Sequence, residues 1–217
     1  MIDFAQRRLM MVDTQVRPSD VTKFPIIDAL LDTPREAFVP EGLREAAYVG
    51  ENLDLGGGRT LLEPRTFAKM LDVLAIEPTD VILDVACGLG YSTAIAAKLG
   101  EFVVGVESDE ARAAEAQTIL SEHGVDNAAI IAAALDDGAA KSGPYDVIMI
   151  QGAVETVSKA LIDQLKNGGR IAAIFAENAL GVVRIGLKQD GEVTWRFAFN
   201  ATAPLLPEFD VADEFQL

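Results

Sequence analysis

Two patterns of apolar and polar positions divide the chain near residue 80. Before this point the pattern is helical and is interrupted by polar turns, and it predicts helices over residues 3–15, 23–32, 41–47 and 64–74. After it, short apolar runs alternate with helical segments, which predicts a parallel sheet covered on both faces. The predicted strands are residues 81–86, 102–106, 128–131, 145–150 and 169–174, with helices over 92–99, 110–123 and 157–165 between them.

Glycine-rich turns complete the predicted architecture. Residues 55–60 are interpreted as a loop, because three consecutive glycines favour neither helix nor strand. Residues 181–187 and 193–199 predict a terminal hairpin around Asp190-Gly191. We therefore expect a doubly wound, Rossmann-like α/β fold with a mostly parallel, seven-stranded sheet. A helical region (1–75) precedes the Rossmann-like domain (76–217), and the two form one compact unit.

Composition narrows the function classes. The 217 residues are 50% hydrophobic, and 34 acidic residues outnumber 18 basic ones for a net charge of −16. Such a surface repels phosphate backbones and anionic lipids, which disfavours nucleic acid and membrane as partners. The sequence lacks an apolar run of about 18 residues and a cationic start followed by an apolar stretch, so we expect a soluble, cytoplasmic protein.

The cysteine and histidine content argues against a metal site. Cys87 is the single cysteine, which excludes an intrachain disulfide, and His123 is the single histidine. A zinc site built from these ligand types is implausible, and we expect no metal. Cys87 is interpreted as a small buried residue and His123 as a helix-end residue before Gly124.

The candidate chemistry lies directly after the first strand of the predicted sheet. There Gly88 and Gly90 open a helix, at the carboxyl edge where such sheets bind nucleotides. Glu107 ends the next strand, and its carboxylate can accept both ribose hydroxyls of a nucleoside. A dinucleotide motif would need a third glycine where Thr93 stands, so a dehydrogenase is the less favoured reading.

The same segment resembles the acidic-x-Gly-x-Gly-x-Gly signature of class I methyltransferases. Asp84 stands at the acidic position, Gly88 and Gly90 at the later glycines, and Ala86 at the first. This resemblance implies S-adenosylmethionine as the cofactor. Asp84 is otherwise interpreted as a helix cap or a partner of loop amides, and both readings stay open.

Residues outside this motif narrow the resemblance. In order along the chain they are Pro34-Arg35-Glu36-Ala37-Phe38-Val39-Pro40, Ala47-Tyr48, Gly56-Gly57-Gly58-Arg59-Thr60, Pro64 and residues 164–170. Over about residues 7 to 175 the chain resembles the protein-L-isoaspartate O-methyltransferase family, and the resemblance suggests a monomer acting on isoaspartyl protein or peptide. It also implies that Asp137-Gly138 lies near the adenine and Thr60 beside the acceptor. Asp136-Asp137-Gly138 is alternatively a simple turn.

The chain departs from this family in the acceptor loop. The family reads Gly-x-Gly-Gln-Thr-Ile-Ser-Gln-Pro, whereas Leu62 stands here at the serine and cannot donate a hydrogen bond. Arg59 replaces the glutamine and Arg65 follows Pro64. We hypothesise that Arg59 or Arg65 fixes the acceptor carboxylate, since a guanidinium can hold a carboxylate through two hydrogen bonds; a surface charge is the simpler reading of each. The departure leaves open another carboxylate acceptor, or a cofactor-binding protein without catalysis.

Overall fold

The computed structural model describes residues 3–177 and 180–210. The α-helices of these residues are α1 (Phe4–Met11), α2 (Phe24–Asp32), α3 (Pro64–Leu74), α4 (Tyr91–Ala97), α5 (Glu110–Glu122) and α6 (Lys159–Gln164). The strands are β1 (Leu53–Gly56), β2 (Arg59–Leu61), β3 (Val81–Val85), β4 (Phe102–Glu107), β5 (Ala128–Ala132), β6 (Tyr145–Val154), β7 (Leu165–Glu177), β8 (Leu180–Gln189) and β9 (Glu192–Asn200). The ends of the predicted regions, at residues 1 and 217, lie outside the described residues.

Strands β3 to β9 form one sheet in the order β5-β4-β3-β6-β7-β8-β9. Strands β3 to β7 pair in parallel, while β8 and β9 are added antiparallel as the predicted hairpin. The chain winds outward in both directions from β3 and β6, so the strand order reverses between them. Open α/β sheets bind ligands in the crevice beyond the carboxyl ends of the strands at such a point. The predicted doubly wound, mostly parallel seven-stranded sheet is confirmed.

The predicted loop at residues 55–60 is wrong in part, because β1 and β2 pair there as an antiparallel hairpin. Gly57 and Gly58 form its turn with φ angles of 60° and 74°. A two-residue hairpin turn of this kind needs two successive positive φ angles, which glycine adopts without strain. The glycines that argued against a strand are therefore the residues that reverse it.

The N-terminal helices and the sheet share one apolar core. In α3, Phe67, Met70, Leu71 and Leu74 are buried at helical spacing, in the same cluster as Val147 of β6. Arg170 of β7 also donates hydrogen bonds to the carbonyl oxygens at the end of α3. Within the described residues, no helix is long and apolar enough to cross a membrane.

Candidate active site

The turn after β3 has the backbone shape that its sequence predicts. Ala86, Gly88 and Gly90 have φ angles of 61°, 58° and 92°, and Gly90 directly precedes α4. An L-residue in this left-handed region costs about 1–2 kcal/mol, which glycine avoids. Ala86 therefore carries strain at the position where the methyltransferase signature has its first glycine.

Asp84 is fully buried beneath this turn. Its Oδ2 accepts hydrogen bonds from the hydroxyls of Ser92 (2.6 Å) and Thr93 (2.7 Å), and its Oδ1 accepts one from Nε2 of Gln151 at 2.8 Å. Burial raises the pKa of Asp84 to about 6, although these hydrogen bonds oppose the rise. Among the described residues these donors are all side chains, so Asp84 neither caps α4, whose N-cap is Gly90, nor binds loop amides. It holds the turn through side-chain hydrogen bonds, and direct contact with a cofactor stays a prediction.

Glu107 ends β4, as predicted, but its carboxylate is already engaged. The side chain is completely buried, and Nε of Arg59 donates to both of its oxygens, at 3.0 and 3.1 Å. The backbone N–H groups of Ser108 and Asp109 donate to Oε1 at 2.9 and 3.2 Å. The structure therefore brings together two predicted site residues, Arg59 and Glu107, as an ion pair.

Arg59 also contacts Glu208, far along the chain. Its side chain is 3% exposed, and Nη2 donates to Oγ of Ser108 at 2.6 Å and to Oε1 of Glu208 at 2.8 Å. The role of Arg59 in fixing an acceptor stays a prediction, because here its guanidinium binds two carboxylates of the protein. Glu208 carries no sequence pattern that marks it, and sequence reasoning missed it.

Residues 203–210, the C-terminal segment, lie along the carboxyl end of β6. Ala153 N–H donates to the carbonyl of Pro204, and Leu206 N–H donates back to the carbonyl of Ala153, both at 2.9 Å. Leu206 and Phe209 are buried in the core on this side of the sheet. Partial burial raises the pKa of Glu208, but the hydrogen bonds from Arg59, Ser108 and the backbone, together with the charge of Arg59, outweigh it and lower the pKa.

The predicted acceptor residues line a nearly closed part of the site. Thr60 and Leu62 border a cavity of about 10 Å³, whereas ligand pockets usually measure about 300–1,000 Å³. Thr60 Oγ1 donates to the carbonyl of Leu53 at 3.1 Å, and the side chain of Leu62 is 2% exposed. Arg65 is half exposed, 3.8 Å from Glu63, and does not join this cluster.

A buried arginine that sequence reasoning treated only as part of a motif supports this loop. Arg35 is fully buried, stacks 4.8 Å from the ring centre of Tyr91, and donates to the carbonyls of Ala47 (2.6 Å) and Leu62 (2.7 Å). Burial lowers the pKa of Arg35 below its usual value. Its position fixes the backbone of the acceptor loop directly at Leu62.

Asp137 and Gly138 lie in the turn after β5, in which the N–H of Ala133 donates to the carbonyl of Glu107 at 3.1 Å. They border a groove of about 810 Å³ that extends to Pro144 and Gln164. Asp137 is exposed, and its backbone carbonyl accepts a hydrogen bond from Nε2 of Gln164 at 2.8 Å. Gly138 has a φ of 65°, so the turn reading of this segment is supported; its place beside the adenine stays a prediction.

Comparison with known proteins gives a consistent result. Residues 7–200 match the sequence model of the family described as Protein-L-isoaspartate(D-aspartate) O-methyltransferase. A protein-L-isoaspartate O-methyltransferase of Methylorubrum extorquens (strain PA1) is 34% identical over 172 residues, or 78% of this chain and 74% of the relative. One from Aliivibrio fischeri (strain MJ11) is 32% identical over 178 residues, or 82% and 86%.

Solved structures share the fold. A protein-L-isoaspartate O-methyltransferase superposes with a TM-score of 0.79 at 22% identity, covering 91% of this chain and 65% of that one. A Plasmodium falciparum protein assigned to the same activity, solved with S-adenosyl-L-homocysteine, gives a TM-score of 0.79 at 18% identity. The superposition covers 96% of this chain and 100% of the Plasmodium falciparum chain.

Proposed function

Because this chain belongs to the protein-L-isoaspartate O-methyltransferase family, we propose that it transfers a methyl group from S-adenosylmethionine to the carboxylate of isoaspartyl residues in proteins. The observation that carries the proposal is the family match over residues 7–200. The match spans the glycine turn, Glu107 and the acceptor loop. The proposal thus covers both halves of the reaction, the cofactor and the acceptor.

The residue types at the sheet edge fit this cofactor. Glu107 presents both carboxylate oxygens to the N–H of Arg59, at 3.0 and 3.1 Å, as it would to the two hydroxyls of a ribose. Gly88 and Gly90 give the turn the positive φ angles that let backbone approach a ligand closely. Glu107, Gly88 and Gly90 would hold the nucleoside, and Asp137-Gly138 would lie by the adenine. For the cofactor to fit, Arg59 must release the carboxylate of Glu107, to which it is hydrogen-bonded.

The chain's task in this reaction is to position the acceptor and to exclude water. When bound, S-adenosylmethionine supplies a methyl group on a positively charged sulfur. An isoaspartyl carboxylate is ionised at neutral pH, so the protein needs no general base, and correct placement of the oxygen lowers the barrier. Thr60 and the loop fixed by Arg35 would form the wall on which the acceptor lies.

A second candidate function is methylation of a different acceptor, and Leu62 favours it. Leu62 stands at the family's serine, and its side chain is 2% exposed with no hydrogen-bonding group. The acceptor loop therefore lacks the hydroxyl with which the family contacts the isoaspartyl carboxylate. An acceptor held mainly by apolar contact or by Arg65 suits this loop better.

The test is transfer of labelled methyl from S-adenosylmethionine to an isoaspartyl peptide, with its aspartyl twin as the control. Base-labile label on the isoaspartyl peptide alone is expected, because methyl esters hydrolyse in base. Glu107→Gln is the matched protein control, since it leaves the size of the side chain and removes the charge. The label that this variant transfers should fall to the level of a blank without enzyme. Equal label on both peptides, or on neither, would refute the isoaspartyl acceptor.

A further inference from the structure

The ion pair of Arg59 and Glu107 lies at the position where the proposed cofactor must bind. We name Arg59, Glu107, Ser108 and Glu208 the arginine clamp. In it, one guanidinium binds the carboxylate that ends β4, the hydroxyl of the next residue, and a carboxylate of the C-terminal segment. Glu107 also accepts two backbone N–H groups. Oε1 therefore has three donors, whereas Oε2 accepts only from Arg59. A pair of ribose hydroxyls needs both oxygens, so it must displace the Nε of Arg59.

Two further contacts close the same edge of the sheet. A Cβ built on Gly88 would lie 3.0 Å from Cδ1 of Leu55, so β1 covers the glycine turn. A Cβ on Gly152 would lie 2.6 Å from Cγ of Leu206, so the C-terminal segment covers the end of β6. The hairpin of β1 and β2 and the C-terminal segment thus meet over the strand ends, and Arg59 joins them.

We propose that the arginine clamp competes with S-adenosylmethionine for Glu107, so that the cofactor binds only after Arg59 releases this carboxylate. The inference rests on the proposed function. Glu208 contributes by holding Nη2 of Arg59 at 2.8 Å, and Ser108 Oγ donates to the same Glu208 oxygen at 3.1 Å. The C-terminal segment therefore stabilises the closed arrangement, in which Arg59 binds Glu107, and opposes binding of the cofactor.

The clamp is suited to release because it is not fully satisfied. Oε2 of Glu208 is buried and has no hydrogen-bond partner among the described residues. A buried acceptor without a partner costs about 1–3 kcal/mol. Opening of the C-terminal segment returns this oxygen to water, which offsets part of the loss of the Arg59 contacts. Charge pairing of Arg59 therefore stabilises the closed arrangement, and the unpaired Oε2 of Glu208 destabilises it.

The expected change in cofactor affinity depends on the fraction of molecules in the closed arrangement. If the closed arrangement accounts for about 90% of the molecules, the apparent affinity is about tenfold weaker than that of the open one. Removing the guanidinium should restore this factor. Arg59→Gln introduces the residue that the family has at this position, and Glu208→Gln removes the second anchor while leaving Arg59 in place.

The experiment is calorimetric titration of the full chain with S-adenosylhomocysteine, which lacks the sulfonium charge and cannot react. We expect Arg59→Gln to bind about tenfold more tightly than the parent. Glu208→Gln should bind more tightly by a smaller factor, because it weakens the clamp but leaves the contacts of Arg59 with Glu107 in place. Arg17→Gln is the charge-matched control, because Arg17 pairs with Asp13 on the surface and lies outside the clamp. It should bind as the parent does. Thermal melts establish that each variant is folded, and Glu208→Gln carries the test if Arg59→Gln is not.

The outcomes separate this inference from the proposed function. Tighter binding by the two clamp variants alone supports the competition. Equal or weaker binding by them, with clear binding by the parent, overturns the competition and leaves the methyltransferase proposal standing. Binding by neither the parent nor any folded variant overturns both proposals. The other guanidinium near Glu107 among the described residues, that of Arg112, lies 3.8 Å from Oε1, beyond hydrogen-bond distance, and would not replace Arg59 in occupying the carboxylate.

Discussion

Replacing Asp84 by asparagine should stabilise the protein at neutral pH. Asp84 is a fully buried carboxyl whose donors, Ser92, Thr93 and Gln151, are all neutral. Asparagine has the same shape: its Oδ1 can accept from Gln151, and its Nδ2 can donate to the two hydroxyl oxygens. The variant thus keeps the contacts that hold the glycine turn and removes the cost of a buried charge.

The magnitude follows from the pKa. The folded-state pKa of Asp84 is about 6, against 3.8 for the free side chain, and this difference corresponds to about 3 kcal/mol. Because the folded state binds the proton more tightly, wild-type stability falls as pH rises from 3.8 towards 6. The gain from Asp84→Asn should therefore be about half complete at pH 5 and nearly complete at about pH 7.5.

Urea unfolding of both proteins at these two pH values measures the gain. Asp146→Asn is the control of opposite sign. Partial burial raises the pKa of Asp146, but the hydrogen bonds from Lys166 and Val81 N–H, together with the charges of Lys166 and Arg170, outweigh it and lower the pKa. Its stabilisation is complete above the unfolded pKa, so this variant should lose stability equally at both pH values. A gain for Asp84→Asn that does not grow with pH would refute the reasoning.

Three further substitutions, the first with a matched control, test the local geometry. Ala86→Gly should raise the free energy of unfolding by about 0.5–1 kcal/mol by relieving the left-handed φ, whereas Ala94→Gly inside α4 should lower it by about 1 kcal/mol; urea titration distinguishes the two signs. Leu62→Ser should cost about 3 kcal/mol of stability because the site is buried, and a higher rate on isoaspartyl peptide in the methyl-transfer assay would show that the missing hydroxyl limits the reaction. Gly138→Ala should lower stability by about 2 kcal/mol through its positive φ and a Cβ 2.7 Å from Leu161; an unchanged melting temperature would contradict the backbone described for this turn.

The sequence predicts well the elements that depend on residues adjacent in the chain, and the strands of the parallel sheet are of this kind. The apolar runs at β3, β4 and β6 mark buried parallel strands, since such strands carry apolar residues on both faces, and the run at β5 marks the partly exposed edge strand. The glycine turn and Glu107 follow from their places at strand ends. The hairpin of β1 and β2 was missed because glycine content was read without the φ angles that a two-residue turn requires.

The arginine clamp could not be predicted, because its members are far apart in the chain. Arg59 lies 48 residues before Glu107 and 149 before Glu208. Neither periodicity nor a local motif links positions at such separations, and a charged side chain reads as a surface residue by default. Gln151 was detectable in principle, since it lies near the carboxyl end of a strand that borders the switch point. The sequence therefore predicts which edge carries the site but not how its charges pair.

The separation between the hairpin and the C-terminal segment has a consequence for biosynthesis. Asn52, directly before β1, donates to the carbonyl of Thr202, directly before the C-terminal segment and 150 positions later. Arg59 pairs with Glu208, which is 149 positions later. At about 5–20 residues per second, a ribosome needs roughly 7–30 s to add the intervening chain. During that time the hairpin has been made but lacks its last partners. Arg59 therefore has no Glu208 with which to pair until the chain is almost fully synthesised, and the arginine clamp can form only as one of the last steps of folding.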